Sequence, residues 1–433
     1  MIVAGKRQGS RSGSIMLEKL SHYKEENSVE KGFVSSVPTA KLAPGKNPSQ
    51  PISLVELQGS FSTYFDDLPD PRVDRTKQHL LKDILVITIL AVIAGADGWE
   101  DIENYGLSKQ QWLEEFLELP NGIPSDDTFR RVFEKLDPEA LEKKLSQWLQ
   151  QILGSVFQEI IPIDGKSLRG SYDREKGLKN LHLVTAWASE QRLVLGQVKV
   201  EDHSNEITAI PALLELIDIG GAIITIDAMG TQTEIVRLIH QKKADYVVAL
   251  KSNHPTLYTQ VKKWFETAKS QEFQGIKISY DSRTEKGHHR VETRKVWAVP
   301  VAELGGLYKQ EQWANLRTIV IVERTRHLWN KTTYEVQFYL SSLPVDAQIN
   351  GRAIRQHWGI ENQVHWSLDV TFNEDKCRIR SLNSPQNLAL LRRMALNAVN
   401  QETTLQRSLR QKRKRAAMNN DYMMQILKCF CQA

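Results

Sequence analysis

The sequence predicts an α/β protein: a mixed sheet flanked by helices, carrying a β-rich insertion at about 271–345 and preceded by a helical N-terminal domain. Three observations lead there. Helical patterns run to about residue 151. Short apolar strands separated by amphipathic helices begin at Glu159. A segment rich in Thr, Val, Ile and aromatic residues follows at 271–345.

Residues 1–55 are rich in Ser, Gly, Lys and Glu and lack sustained periodicity, so they are expected to be a flexible extension, with at most a short helix near Met16 to Lys24. Residues 56–152 form the helical domain. Beyond Pro69 and Pro71 comes an apolar helix whose uncharged run, Ile84 to Ala96, has 13 residues. That is too short for a bilayer and reads as a buried helix. In "IPSDDTFRRVFEKLDP", Ser125 or Asp126 can cap a helix with a Phe129, Val132, Phe133 stripe. Helix pairs of this kind are candidates for DNA binding, although most such pairs only pack a core.

Residues 153–400 carry the sheet. "EIIPID" is a strand ending in Asp164, "LHLVTAWA" and "RLVLGQVKV" are two more, and "SNEITAIPALLELID" is a helix capped by Ser204 or Asn205. "AIITIDA" is a buried strand ending in Asp227, "TQTEIVRLIHQKKA" a helix and "DYVVALKS" a strand. Two β-hairpins fill the insertion. A long helix, roughly Val345 to Leu368, follows. Residues 401–433 end the chain as a basic tail, with six basic residues and no acid between Arg407 and Arg415. Such a run suits a polyanion, or is simply solvated.

The net charge of +5 is mild. Three cysteines give no disulfide framework, which fits a reducing cytoplasm. The first residues lack the apolar core of a signal peptide.

Two groups carry chemistry. Asp164 and Asp227 each end an apolar strand and precede a small residue. Carboxylates meeting at a sheet edge repel unless a cation lies between them, and Mg2+, with Mn2+ as a substitute, suits hard oxygen donors. Alternatively each merely caps its turn. In "QHWGIENQVHWSLDV", His357, Glu361, His365 and Asp369 recur every four residues, within one 120° arc of a regular helix. Trp358 and Trp366 form a neighbouring stripe that would also serve as core. One zinc ion cannot take both histidines, which are eight residues, about 12 Å, apart along a straight helix; either could pair with Glu361 four residues away, but no cysteine pair supports such a site.

The stretches "IPIDGKSLRGS", "SNEITAIPALLELI", "IITIDAMGTQ", "DYVVALKSNHPTLY" and "IRQHWGIENQVHWSLDVTFNEDKCRIRS" resemble the H-repeat-associated family of bacterial insertion-sequence transposases, within the DDE transposases that share a ribonuclease H-like core. The upstream "YFDDLPDPRVDRTKQHLLKDILVITILAVIAGADGWEDIENYG" is similar to that family's associated N-terminal domain. The resemblance runs from about Phe61 to about Leu427. It implies Asp164, Asp227 and Glu361 as catalytic, metal-holding carboxylates and double-stranded DNA as partner. It also implies a dimer or larger assembly on DNA, in the cytoplasm at the nucleoid. Asp126 and His289 depart from the family pattern, and Ile354, His357 and Leu368 stand where some relatives carry Tyr, Arg and Lys. By chemistry alone, Lys166, Arg169, Lys251, Asn253, His254, Arg290, Arg355, His357, His365, Arg378 and Arg380 are candidates to contact DNA.

The expected reaction is metal-dependent cleavage at the element ends followed by 3′-OH strand transfer into target DNA. A metal-dependent endonuclease that cuts without joining, or an inactive transposase-derived DNA-binding protein, would share most of these features.

Overall fold

A computed structural model describes residues 52–431, apart from 173–176, 178, 202–203 and 288–289. The expected flexible extension falls almost wholly outside the described residues.

Five helices come first: α1 (Leu54–Phe65), α2 (Leu81–Ala94), α3 (Trp99–Leu113), α4 (Asp126–Lys135) and α5 (Pro138–Ile152). Beyond Lys82 and Asp83 in its first turn, α2 carries no charge, and nearly all of it is buried, as a helix enclosed by others must be. Its enclosure comes from both ends of the chain. The last three helices, α11 (Ser384–Gln401), α12 (Leu409–Met418) and α13 (Asn420–Leu427), complete the bundle, with α11 and α12 against α2.

The basic C-terminal run is therefore not a tail. The Arg413 guanidinium donates to the Val92 and Ile93 carbonyls at 2.8 and 3.2 Å and to the Thr371 carbonyl, and lies 3.9 Å above the Phe372 ring. It satisfies carbonyls at the end of α2 that no helical N–H reaches. Lys412 pairs with Glu402. Arg407, Arg410, Lys414 and Arg415 remain exposed.

The sheet has nine strands in the order β3-β2-β1-β4-β5-β9-β8-β7-β6. They are β1 (Ile160–Leu168), β2 (Leu181–Ala188), β3 (Leu193–Lys199), β4 (Ile223–Ile226), β5 (Asp245–Leu250), β6 (Ser279–Gly287), β7 (Arg290–Pro300), β8 (Thr318–Leu328) and β9 (Thr332–Ser341). β1, β4 and β5 run parallel, linked by α6 (Glu206–Leu216) and α7 (Thr233–Gln241); every other neighbouring pair is antiparallel. β4 is buried at all four positions, as a central parallel strand covered on both faces should be. The mixed sheet flanked by helices is as expected.

The β-rich insertion is not a separate layer. β9 pairs with β5, so its four strands extend the same sheet. At the opposite edge, the Asn397 side chain of α11 exchanges two hydrogen bonds with Val194 of β3, at 2.7 and 2.9 Å. The helical bundle thereby covers a strand edge that would otherwise present unpaired backbone. α8 (Pro255–Ser270) follows β5.

The expected long helix is broken. α9 (Ala347–His357) gives way to a π-helical turn, Ile360–His365, and then to the short α10 (Trp366–Val370). The turn is closed by the Trp366 N–H bonding to the Glu361 carbonyl, one residue wider than an α-turn. The single 120° face expected for His357, Glu361, His365 and Asp369 assumed an unbroken α-helix, and the wider turn rephases the side chains.

Candidate active site

Asp164 and Asp227 lie on neighbouring parallel strands. The last paired residues are Ile163 and Ile226, and the aspartates come next on each strand. β4 stops there, but β1 runs on to Leu168, paired with β2 through Asp164↔Thr185. Asp164 is thus inside a strand, not at its end as expected. Asp227 turns the chain: its Oδ1 accepts the N–H groups of Met229 and Gly230 at 2.9 and 3.2 Å. The turn-capping role is real for that oxygen, and both bonds fall on Oδ1.

Burial, then the charges of Glu206, Glu361 and Asp227, push the Asp164 carboxyl up to about 7. Four carboxylates therefore share one neighbourhood, and Glu206 is the one that sequence reasoning missed. It opens α6, where an acid just after the Asn205 cap looks like ordinary helix-start chemistry. Its side chain crosses Gly165: a Cβ there would lie 2.0 Å from Glu206 Oε1, so any larger residue beside Asp164 would have to push Glu206 and His182 aside. His182 holds Glu206 in place, with Nε2 2.8 Å from Oε1 and Nδ1 2.7 Å from the Ser167 hydroxyl.

Glu361 lies exposed on the π turn, between two histidines that face the sheet. His357 Nδ1 is 3.0 Å from the Thr225 hydroxyl on β4, and His365 Nδ1 is 3.5 Å from Asp164 Oδ2 on β1. They dock on the neighbouring strands β4 and β1, and among the described residues no three His, Cys, Asp or Glu groups converge as a zinc site needs. Burial drives both imidazoles neutral, His357 to about 4 and His365 to about 3, the latter helped by the Arg393 and Lys166 charges. The tryptophans are not core: Trp366 is 58% exposed and Trp358 half-buried, with Arg324 over its ring.

Lys166, expected at phosphate, is buried instead. Its ammonium lies 2.7 Å from Asp369, 3.1 Å from Glu374 and 3.2 Å from Asp375. Glu374 also accepts from Arg393 at 2.8 Å. Burial opposes the charge on Glu374, but Arg393 and Lys166 outweigh it and hold the carboxyl at about 2. This cluster ties β1 to the segment after α10. His365 is likewise buried, 9% exposed.

The other expected DNA contacts divide in two. Asn253 donates to the Ala228 carbonyl at 2.6 Å and His254 Nε2 lies 2.6 Å from the Thr231 carbonyl, so both brace the turn that begins at Asp227. Arg380 donates to the Gly170 carbonyl. Lys251, Arg169, Arg290, Arg355 and Arg378 are exposed, with Arg355 3.6 Å from Glu285 and Arg169 3.5 Å from Asp375. Lys251 is close enough to act on the His357 ring. Arg378, Lys376 and Asn373 line a cavity of about 500 Å³ shared with Asp97 and Gly98 of the helical bundle.

The donor set suits a hard divalent cation. All its donors are carboxylate oxygens, and their mutual repulsion, visible at Asp164, is what such a cation would relieve. Among the described residues, no three His, Cys, Asp or Glu groups converge closely enough to hold an ion. The arrangement is a two-aspartate platform with Glu361 beside it, not a closed cage.

Comparison with known proteins places the chain in a family. Residues 156–398 match the family model described as "Transposase DDE domain", and residues 62–149 match the one described as "DDE_Tnp_1-associated". The chain is 38% identical over 371 residues to "Putative transposase YncI" of Escherichia coli O157:H7, spanning 85% of this chain and 94% of that protein. It is 36% identical over 368 residues to "H repeat-associated putative transposase YhhI" of Escherichia coli (strain K12), spanning 83% and 95%. A 64-residue stretch is 48% identical to "Inactive transposase YbfQ" of the same strain, spanning 15% of this chain and 76% of that protein.

Proposed function

Since the chain belongs to the transposase DDE domain family, we propose that it cleaves DNA at the ends of an insertion sequence and joins the freed 3′-OH ends to target DNA. The observation that carries this reading is the position of Asp164 and Asp227, side by side on parallel strands at the end of β4. Ligands of open α/β sheets bind beyond the carboxyl ends of such strands.

Asp164, Asp227 and Glu361 would hold Mg2+ or Mn2+, which when bound supplies an activated oxygen nucleophile and stabilises the leaving 3′-oxygen. The chain's own residues do the rest. Asp227 is oriented by the Met229 and Gly230 N–H groups. Asn253 and His254 keep that turn from shifting. The exposed cations Lys251, Arg169, Arg355, Arg378 and Arg290 are available to phosphate, which positions DNA without reading its sequence. His357, Asn253, His254, Arg380, Lys166 and His365 act from behind as supports. Two element ends must be cut together, which calls for a dimer or larger assembly on double-stranded DNA. No helix among the described residues is long and apolar enough to cross a membrane. We assign the protein to the cytoplasm, at the nucleoid.

The test uses purified protein, Mg2+ and labelled DNA carrying the flanking inverted ends, with wild type and Glu361→Ala compared. Cleavage and joining by wild type alone, with DNA binding kept in both, is expected. Cleavage without joining identifies an endonuclease. Binding without cleavage by wild type identifies a DNA-binding derivative.

A further inference from the structure

We infer that His365 is a positioning residue for Asp164: its Nδ1–H holds the aspartate carboxylate in the orientation the metal site needs. This rests on the reading above, in which Asp164 is a metal ligand. Nδ1 is 3.5 Å from Oδ2, near enough for an N–H dipole to act on the ionised carboxylate that a metal ligand must be, and an ionised oxygen can only accept. The opposite tautomer would set two lone pairs against each other. The ring is 9% exposed and its Nε2 is buried without a hydrogen-bond partner, so neither nitrogen is spent on solvent or DNA.

The backbone explains why Asp164 needs this support. Asp227 sits in a turn that supplies two N–H donors. Asp164 lies in a strand that continues, and the backbone donor acting on its carboxyl is the Gly165 N–H. The π turn ends on His365 and delivers its imidazole to β1, while Glu361, four residues earlier, stays exposed. One widened turn thus presents a ligand and orients another, a use typical of such turns.

The test is calorimetric titration of Mn2+ into the full-length protein without DNA, for wild type and for Asp164→Asn, His365→Leu, His365→Gln and His365→Asn, with thermal midpoints as a check on folding. Asparagine places its amide N–H where Nδ1–H stands, whereas glutamine places it nearer Nε2. The Leu and Gln variants should bind Mn2+ about 10-fold more weakly or worse, and the Asn variant within about 3-fold of wild type, as for a donor beside a metal ligand that is lost and restored. If Asp164→Asn abolishes binding but His365→Leu binds like wild type, the positioning role is overturned alone. It is also overturned if the Asn variant melts like wild type yet binds as weakly as Leu. If wild type binds no Mn2+, or Asp164→Asn binds as tightly, the metal-site reading fails and takes this inference with it.

Discussion

His357 Nδ1 lies 3.0 Å from the Thr225 hydroxyl, two residues before Asp227 on β4. The end of α9, which leads into Glu361, is thereby fixed to the strand that leads into the second aspartate. Thr225 is 2% exposed, so water cannot replace the bond. Thr225→Val keeps the shape and removes the hydroxyl. It should cost about 1–2 kcal/mol in urea unfolding, the penalty for an unsatisfied buried partner. An unchanged midpoint would mean that the contact does not hold the two elements together.

Lys166 separates two roles cleanly. As a phosphate ligand, its loss would lower the salt dependence of DNA binding by about one unit of slope and leave stability alone. As the cation of a buried cluster, its loss should leave Asp369, Glu374 and Asp375 under-compensated. Lys166→Met should therefore destabilise by about 3 kcal/mol, with the salt slope of DNA binding unchanged.

Lys251 should show the converse. It is exposed after β5, close to His357. Lys251→Ala should leave unfolding within about 0.5 kcal/mol of wild type. It should lower the slope of log affinity against log salt by about 0.9, one phosphate's share. Filter binding or fluorescence anisotropy at several salt concentrations reads this directly.

Much of the central sheet was legible because its strands are short apolar runs bounded by polar turns. β2 matches "LHLVTAWA" residue for residue, and of the two expected caps, Ser204 and Asn205, it is Asn205 that caps α6. Asp164 and Asp227 could be singled out because a carboxylate next to such a run is conspicuous. What failed depended on contacts distant in sequence. Nothing local tells β9 that it pairs with β5. Nothing in a run of basic residues marks Arg413 as the one that enters the bundle to bind Val92 and Ile93. Lys166 and His365 looked available for DNA because their burial is made by Glu374, Arg393 and strand β1 together. The π turn left no trace in periodicity, since one widened turn shifts the phase without altering composition.

Glu142 should make stability depend on pH. Its carboxylate lies between α5, β3 and α11, beside a cavity of about 30 Å³ lined also by Ser146, Gln197 and Arg393. Oε1 accepts the Gln197 N–H at 3.2 Å, and Oε2 is buried without a partner. Burial pushes the carboxyl up from 4.5 to about 7. Between these values the folded chain keeps a proton that the unfolded chain has released, so this group's contribution falls as pH rises from 4.5 and is least favourable above 7. Glu142→Gln retains the acceptor and removes the charge. It should match wild type near pH 4.5 and exceed it by about 1–3 kcal/mol at pH 8. An equal difference at both pH values would show that the carboxyl does not titrate in this window.

Gly359 tests how closely the glutamate segment must approach the sheet. Its φ of −64° and ψ of −35° are ordinary for a helix, so alanine would meet no backbone strain and should gain up to about 1 kcal/mol from helix propensity. Packing predicts the opposite sign. A Cβ at Gly359 would stand 2.6 Å and 3.1 Å from two ring carbons of Trp187, which is 2% exposed on β2 and cannot swing away. Gly359→Ala should therefore destabilise by about 1–3 kcal/mol, the usual cost of overpacking. Trp187→Phe removes the obstructing ring at its own cost. If the clash is the cause, the double variant should be more stable than the two single effects predict by about 1 kcal/mol or more, a coupling expected only of residues in contact. Additive effects would free Gly359 from Trp187, and the close seating of Glu361 would then need another explanation.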